Sequence, residues 1–166
     1  MASLAVIDPI DVPIGGIATL QLQLVPPFKN ADPGRPDNWS ILNEAGEVVD
    51  PNSLQIVFNA DSCPYQRMRE RALIMVTLTT AGSNKNDRFK FFGNGLEYAE
   101  DKEDVNDDVT TDLTKDGQTL VFTIQNQGGT ESTVDFGFLV SRKNLQTGEL
   151  SIFEGPDPII IIRRPQ

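Results

Sequence analysis

The chain has 166 residues, 39 % of them apolar, with 14 bases, 24 acids and no histidine, for a net charge of −10. That balance argues against nucleic acid and anionic membranes as partners, because both require a basic footprint. The missing histidine removes the usual general base at neutral pH and the commonest zinc ligand, and the lone Cys63 excludes an intrachain disulfide.

The length fits one domain, 1–166. The opening MASLAVIDPIDVPIGG has no basic start and no long apolar core before Asp8, so it reads as fold rather than as a secretory signal. With one thiol and no signal, the expected location is cytoplasmic. No window approaches the run of about 18 apolar residues that a membrane span needs.

Period-two patterning then dominates in chain order. Leu20, Leu22 and Leu24 alternate with Gln21 and Gln23, and Leu54, Ile56 and Phe58 repeat the pattern. Ala72 to Leu78 is apolar on both parities, as in a strand covered on both faces. Phe89 and Phe91 share one side of the next run, and Leu120, Phe122 and Ile124 share one side of another. Val134, Phe136, Phe138 and Val140 lie together, with Gly137 opposite. Leu150 to Phe153 and Ile159 to Ile162 complete the strands. Turn residues punctuate them at Pro26-Pro27, Ala45-Gly46, Asp50-Pro51-Asn52, Gly93-Asn94-Gly95, Asp116-Gly117, Gly128-Gly129 and Thr147-Gly148. Asp116-Gly117, Gly128-Gly129 and Asn144 to Glu149 read as hairpins. Pro64 to Leu73 reads either as a turn or two of helix or as a basic loop entering a strand. The expectation is all-β: an antiparallel β-sandwich of seven to nine strands with at most one short helix.

At fold level this pattern resembles immunoglobulin-like and fibronectin-like sandwiches, without the Cys…Trp…Cys signature of true immunoglobulin domains. The closing stretch FGFLVSRKNLQTGELSIFEGPDPIIIIRRP resembles the end of small bacterial β-sandwich proteins that finish with a hairpin, an Asp-Pro and a last β-branched strand. That resemblance covers the final thirty residues and carries over no catalytic residue.

The most concentrated chemistry lies at about 97–112. Eight acids (Glu97, Glu100, Asp101, Glu103, Asp104, Asp107, Asp108 and Asp112) face one base, Lys102. Calcium is the candidate metal, since it takes six to eight oxygens from a flexible loop. Asp101, Asp104, Asn106 and Asp108 offer alternating oxygens. The EF-hand pattern is not matched, because the sharp-turn glycine is missing and Val105 and Val109 interrupt the acids. The competing reading is a solvated connection between strands. Asp8, Asp11, Asp32, Asp37, Asp50 and Asp61 sit in Pro-rich or Asn-rich connections, where they suit ordinary turns.

Trp39, Tyr65 and Tyr98 combine an apolar face with a polar tip, fall in or beside loops, and are the candidate partner-binding residues. Trp39 serves equally well as a cap on the core. Cys63 lies near Arg67, Arg69 and Arg71, which would lower a thiol pKa, but no base accompanies it. The terminal IIIIRRP reads either as an edge strand guarded by Arg163, Arg164 and Pro165, open to strand addition, or as a last strand paired within its own sheet.

The expected function is therefore a non-enzymatic binding or self-assembling module with no cofactor, acting on a protein or carbohydrate partner or on itself. The rivals are a calcium-dependent carbohydrate- or protein-binding module and a hydrolase using paired carboxylates.

Overall fold

The computed structural model describes residues 4–27, 38–79, 87–98, 109–128, 131–156 and 158–165. Among these, no helix is long and apolar enough to cross a membrane. They form eleven strands and one helical turn: β1 (Ile10–Val12), β2 (Ile17–Val25), β3 (Ser40–Leu42), β4 (Leu54–Phe58), α1 (Pro64–Arg67), β5 (Arg71–Leu78), β6 (Asp87–Tyr98), β7 (Val109–Leu113), β8 (Thr119–Ile124), β9 (Ser132–Asn144), β10 (Leu150–Glu154) and β11 (Ile159–Arg163).

The eight strands that patterning marks are all present. Three further short ones join them, β1, β3 and β7. One sheet runs β3-β2-β5-β8-β7. The other runs β1-β4-β11-β9-β10, with β6 on the remaining side of β9. Neither sheet is wholly antiparallel: β1 and β11 both run parallel to β4, and β2 runs parallel to β5 from Ile17 to Leu24. The expected antiparallel arrangement of seven to nine strands is thus corrected to two mixed sheets of six and five. The cause is that β2 and β5 lie side by side while the chain between them, carrying β3, β4 and α1, visits the other sheet.

Alternation builds the core. Leu22 and Leu24, then Ala72, Ile74, Val76 and Leu78, then Leu120, Phe122 and Ile124 turn inward from one sheet. Leu54, Ile56 and Phe58, Val134, Phe136, Phe138 and Val140, and Ile160 and Ile162 turn inward from the other. The two sets meet face to face, with the Phe122 and Phe136 rings 5.1 Å apart. A buried aromatic of this size is the largest single contributor to such a core.

Turn chemistry is partly as expected. Asp116-Gly117 closes the β7–β8 hairpin with Gly117 at φ +72°, and Asn144 to Glu149 closes the β9–β10 hairpin. The Gly128-Gly129 step is not a hairpin, because β8 and β9 belong to different sheets. The glycines 93 and 95 do not end a strand either. They form a bulge inside β6, whose register against β9 shifts between Phe91 and Leu96.

The end of the chain lies deep in its sheet. β10 and β11 both follow β9, and the six residue steps from Phe153 to Ile159 oppose five from Val140 to Asp135. The extra residue is taken up around Pro156 and Pro158. Proline cannot donate to a ladder but can accept, and the Phe136 and Phe138 amides donate to the Pro158 and Pro156 carbonyls at 3.3 and 3.4 Å. β11 sits between β4 and β9 and is not an edge strand. It is a last strand paired within its own sheet, and strand addition through it is closed.

Candidate functional site

One end of the molecule gathers the Gly15 turn before β2, the segment from Asn59 to Glu70 between β4 and β5, Asn126 after β8 and Arg164 after β11. Each of three polar residues extends the inward parity of its strand by one step. Glu70 precedes Ala72 and Ile74, Asn126 follows Phe122 and Ile124, and Arg164 follows Ile160 and Ile162. All three are buried, and they converge.

The Arg164 Nη1 lies 2.8 Å from Glu70 Oε1, with both side chains fully buried. The same nitrogen donates to the Asn59 carbonyl at 2.7 Å. Nη2 donates to the Asn126 carbonyl at 2.7 Å, and Nε to Asn126 Oδ1 at 3.3 Å. The guanidinium carbon stands 5.0 Å from the centre of the Phe58 ring, a cation–π contact. On the other side, Glu70 Oε2 accepts from the Gly15 amide at 2.8 Å and from the Ser62 hydroxyl. A buried charge is tolerated only when it is paired and hydrogen-bonded, and both charges here meet that condition. Burial by itself raises the Glu70 carboxyl, but the Ser62 hydroxyl, the Gly15 amide and Arg164 together bring it below its ordinary value.

This polar knot fixes the loops that carry the outer surface of the same end. α1 is a single turn that starts at Pro64, and the Gln66 side chain accepts from the Cys63 amide at 2.9 Å. Both readings of the Pro64–Leu73 stretch hold in part, since the turn gives way to β5 at Arg71. Arg67 Nε donates to the Ser62 carbonyl at 3.1 Å, and the Gly15 turn lies against the Gln66 side chain. Around this frame Tyr65 is 65 % exposed, Met68 59 %, Ile17 55 % and Ile14 45 %. Arg69 stacks over the Tyr65 ring at 4.8 Å, and its Nη2 donates to the Tyr65 hydroxyl at 2.9 Å. These exposed apolar residues share this end of the molecule with Arg67, Arg69 and Arg71.

The other sequence candidates fall elsewhere. Trp39 is 5 % exposed and meets Phe89 edge to face at 5.8 Å. It lies at the far end of the sheets from Tyr65, next to the strand position that pairs with Val25. It caps the core and offers no ring face to a partner. Tyr98 closes β6 opposite Phe136. Trp39 and Tyr65 therefore do not share a site. Asp101, Asp104, Asn106 and Asp108 lie outside the described residues, as do Asp32 and Asp37. Both ends of the acidic stretch are strand rather than loop, Glu97 in β6 and Asp112 in β7. Among the described residues, no three Cys, Asp or Glu side chains come together as metal ligands would. Cys63 is an exposed thiol. Of the terminal pair, only Arg163 is at the surface, 3.5 Å from Glu131.

The DP-EP family model matches residues 25–164. The chain belongs to the DP-EP family. The matched span starts at the end of β2 and stops at Arg164. It therefore includes α1, Glu70, Asn126 and Arg164, and leaves out the Gly15 turn and Ile17. Among solved structures, a crystal structure of an inclusion body protein (PixA) from Burkholderia cenocepacia J2315 is similar at 8 % identity, with a TM-score of 0.41 and coverage of 89 % of this chain and 96 % of that one. The search of curated protein sequences finds no match.

Proposed function

We propose that this member of the DP-EP family is a non-enzymatic β-sandwich module, immunoglobulin-like in having two facing sheets, that works by protein association. The surface is the α1 end, and the occupant is a second copy of the chain. The observation that carries this reading is the group of Ile14, Ile17, Tyr65 and Met68, all well exposed, beside Arg67, Arg69 and Arg71.

Association surfaces are enriched in Tyr, Met and Arg, and their anchors are aromatic or arginine side chains. The Arg69–Tyr65 stack supplies both. The buried knot beneath holds the loops in place, which lowers the ordering cost of binding. Charge points to the occupant. Three arginines stand within five residues on a chain whose net charge is −10. Two such surfaces meeting face to face would repel, whereas the surface of one copy against an acidic face of another would attract. The contact is therefore head to tail, a heterologous geometry that gives a ring or an open chain of copies according to the rotation between them. This reading needs no catalytic group, and it favours a reducing, cytoplasmic setting in which Cys63 stays a thiol.

A maleimide dye on Cys63, one residue before α1, tests the reading. Its emission should shift as protein concentration rises and the α1 end becomes covered. A spectrum independent of concentration would count against it.

A further inference from the structure

A concave surface lies on the outside of the five-stranded sheet, away from the α1 end. Its floor is formed by residues of outward parity: Gln21 and Gln23 from β2, Met75 and Thr77 from β5, and Thr119 from β8. Its wall is the turn after β3. There the Asn43 amide donates to the Glu47 carbonyl at 3.0 Å, the Glu47 amide donates to Asn43 Oδ1 at 2.9 Å, and Glu44 projects from the turn. The hollow measures about 570 Å³, within the range of roughly 300–1,000 Å³ typical of small-molecule sites.

We propose that this groove binds a neutral oligosaccharide. β5 is paired on both sides, with β2 and with β8, so the middle of the floor offers a peptide strand no edge to join; only β2 before Gln23, which β3 does not cover, keeps one. What remains is side-chain chemistry. Among the described residues, the Gln21 and Gln23 amides and the Glu44 carboxylate have no protein partner. The Thr77 and Thr119 hydroxyls stand 3.3 Å apart. Amides and hydroxyls donate and accept side by side, as sugar hydroxyls do. Glu44 adds an acceptor for adjacent hydroxyls, and half-buried Met75 offers an apolar patch to the C–H face of a sugar ring. No lysine or arginine lines the groove, and the chain is strongly acidic, so anionic ligands are disfavoured. The site requires no calcium.

The test is an amide NMR titration of the full chain, in EDTA, with maltotriose, cellotriose, tri-N-acetylchitotriose and trigalacturonic acid. The expected result is movement of the Gln21 and Gln23 side-chain amide signals with at least one neutral sugar at millimolar concentration, and none with the acidic one. The double variant Gln21→Ala, Gln23→Ala should weaken that binding about tenfold, from two lost hydrogen bonds, while leaving the rest of the spectrum unchanged. Three outcomes would overturn the proposal: no movement with any neutral sugar, equal movement with trigalacturonic acid, or binding that survives the double variant.

Discussion

Glu70 and Arg164 are ninety-four positions apart in the chain, yet each neutralises the other's charge in a place without solvent. Removing one partner leaves the other charge buried. Arg164→Met should therefore destabilise the protein by about 3–5 kcal/mol, which in a domain of this size lowers Tm by roughly 2–4 °C per kcal/mol. Adding Glu70→Leu should recover part of that loss, because no charge then remains buried. A strictly additive double variant in thermal melts would show that the pair is not coupled. The same carboxyl sets a pH dependence. Its folded pKa lies below its unfolded value of about 4.3. The stabilisation is thus fully present above that value and is lost as pH falls through the lower, folded pKa. In a pH series of melts, the gap between the wild type and Glu70→Gln should hold constant above about pH 5.5 and shrink below pH 4.3. A gap that widened on acidification would reverse the sign of this account. The knot was legible in one respect only. Glu70, Asn126 and Arg164 each continue an inward parity, but a charged residue at the end of an apolar run is ordinarily taken for the point where the strand reaches water. Only the three ends converging in space shows otherwise.

At the scale of elements, the bulge in β6 depends on a glycine in two ways. Gly95 sits at φ +88°, and a Cβ there would come within 2.9 Å of the Leu120 side chain in the core. Gly46 has a similar φ of +80° but open space around it. Gly95→Ala should therefore cost more than Gly46→Ala by the price of overpacking, about 1–3 kcal/mol, as read from urea midpoints. Equal losses would mean that backbone strain alone decides both. The long, alternating strands could be read from the sequence because each repeats its pattern over several residues. β1 and β3 have three residues each and are too short to show a period. β7, VTTDL, has a polar exposed side that merges with the acids before it. Parallel pairing was hidden for another reason: local pattern sets which face of β2 is buried, not which strand lies beside it. The Gly128-Gly129 step failed as a hairpin signal on the same ground, since turn residues do not specify which sheet the next strand joins.

For the whole molecule, two readings of the charge make different predictions. If the acidic stretch is a solvated connection, excess calcium and EDTA should give the same Tm. If Asp101, Asp104, Asn106 and Asp108 hold calcium, metal at about a hundred times its dissociation constant adds roughly 2.7 kcal/mol and raises Tm by several degrees. Association through the α1 end needs no metal, so equal Tm values are expected. Of the surface itself, Tyr65 and the neighbouring arginines could be read from the sequence as a loop aromatic beside cations. Ile14, Ile17 and Met68 could not, because apolar residues flanking a turn look like core until their neighbours are placed. In the proposed association, this exposed end, with its arginines, meets an acidic face of a second copy. Light scattering over a concentration series tests it most directly, at low salt and again at 1 M salt, where charges are screened beyond about 3 Å. The mean mass should climb with concentration at low salt, fall back in high salt, and stay that of a monomer in Ile17→Asp with Met68→Asp. A wild-type chain that remains monomeric throughout, or a variant that associates as well as the wild type, would contradict it.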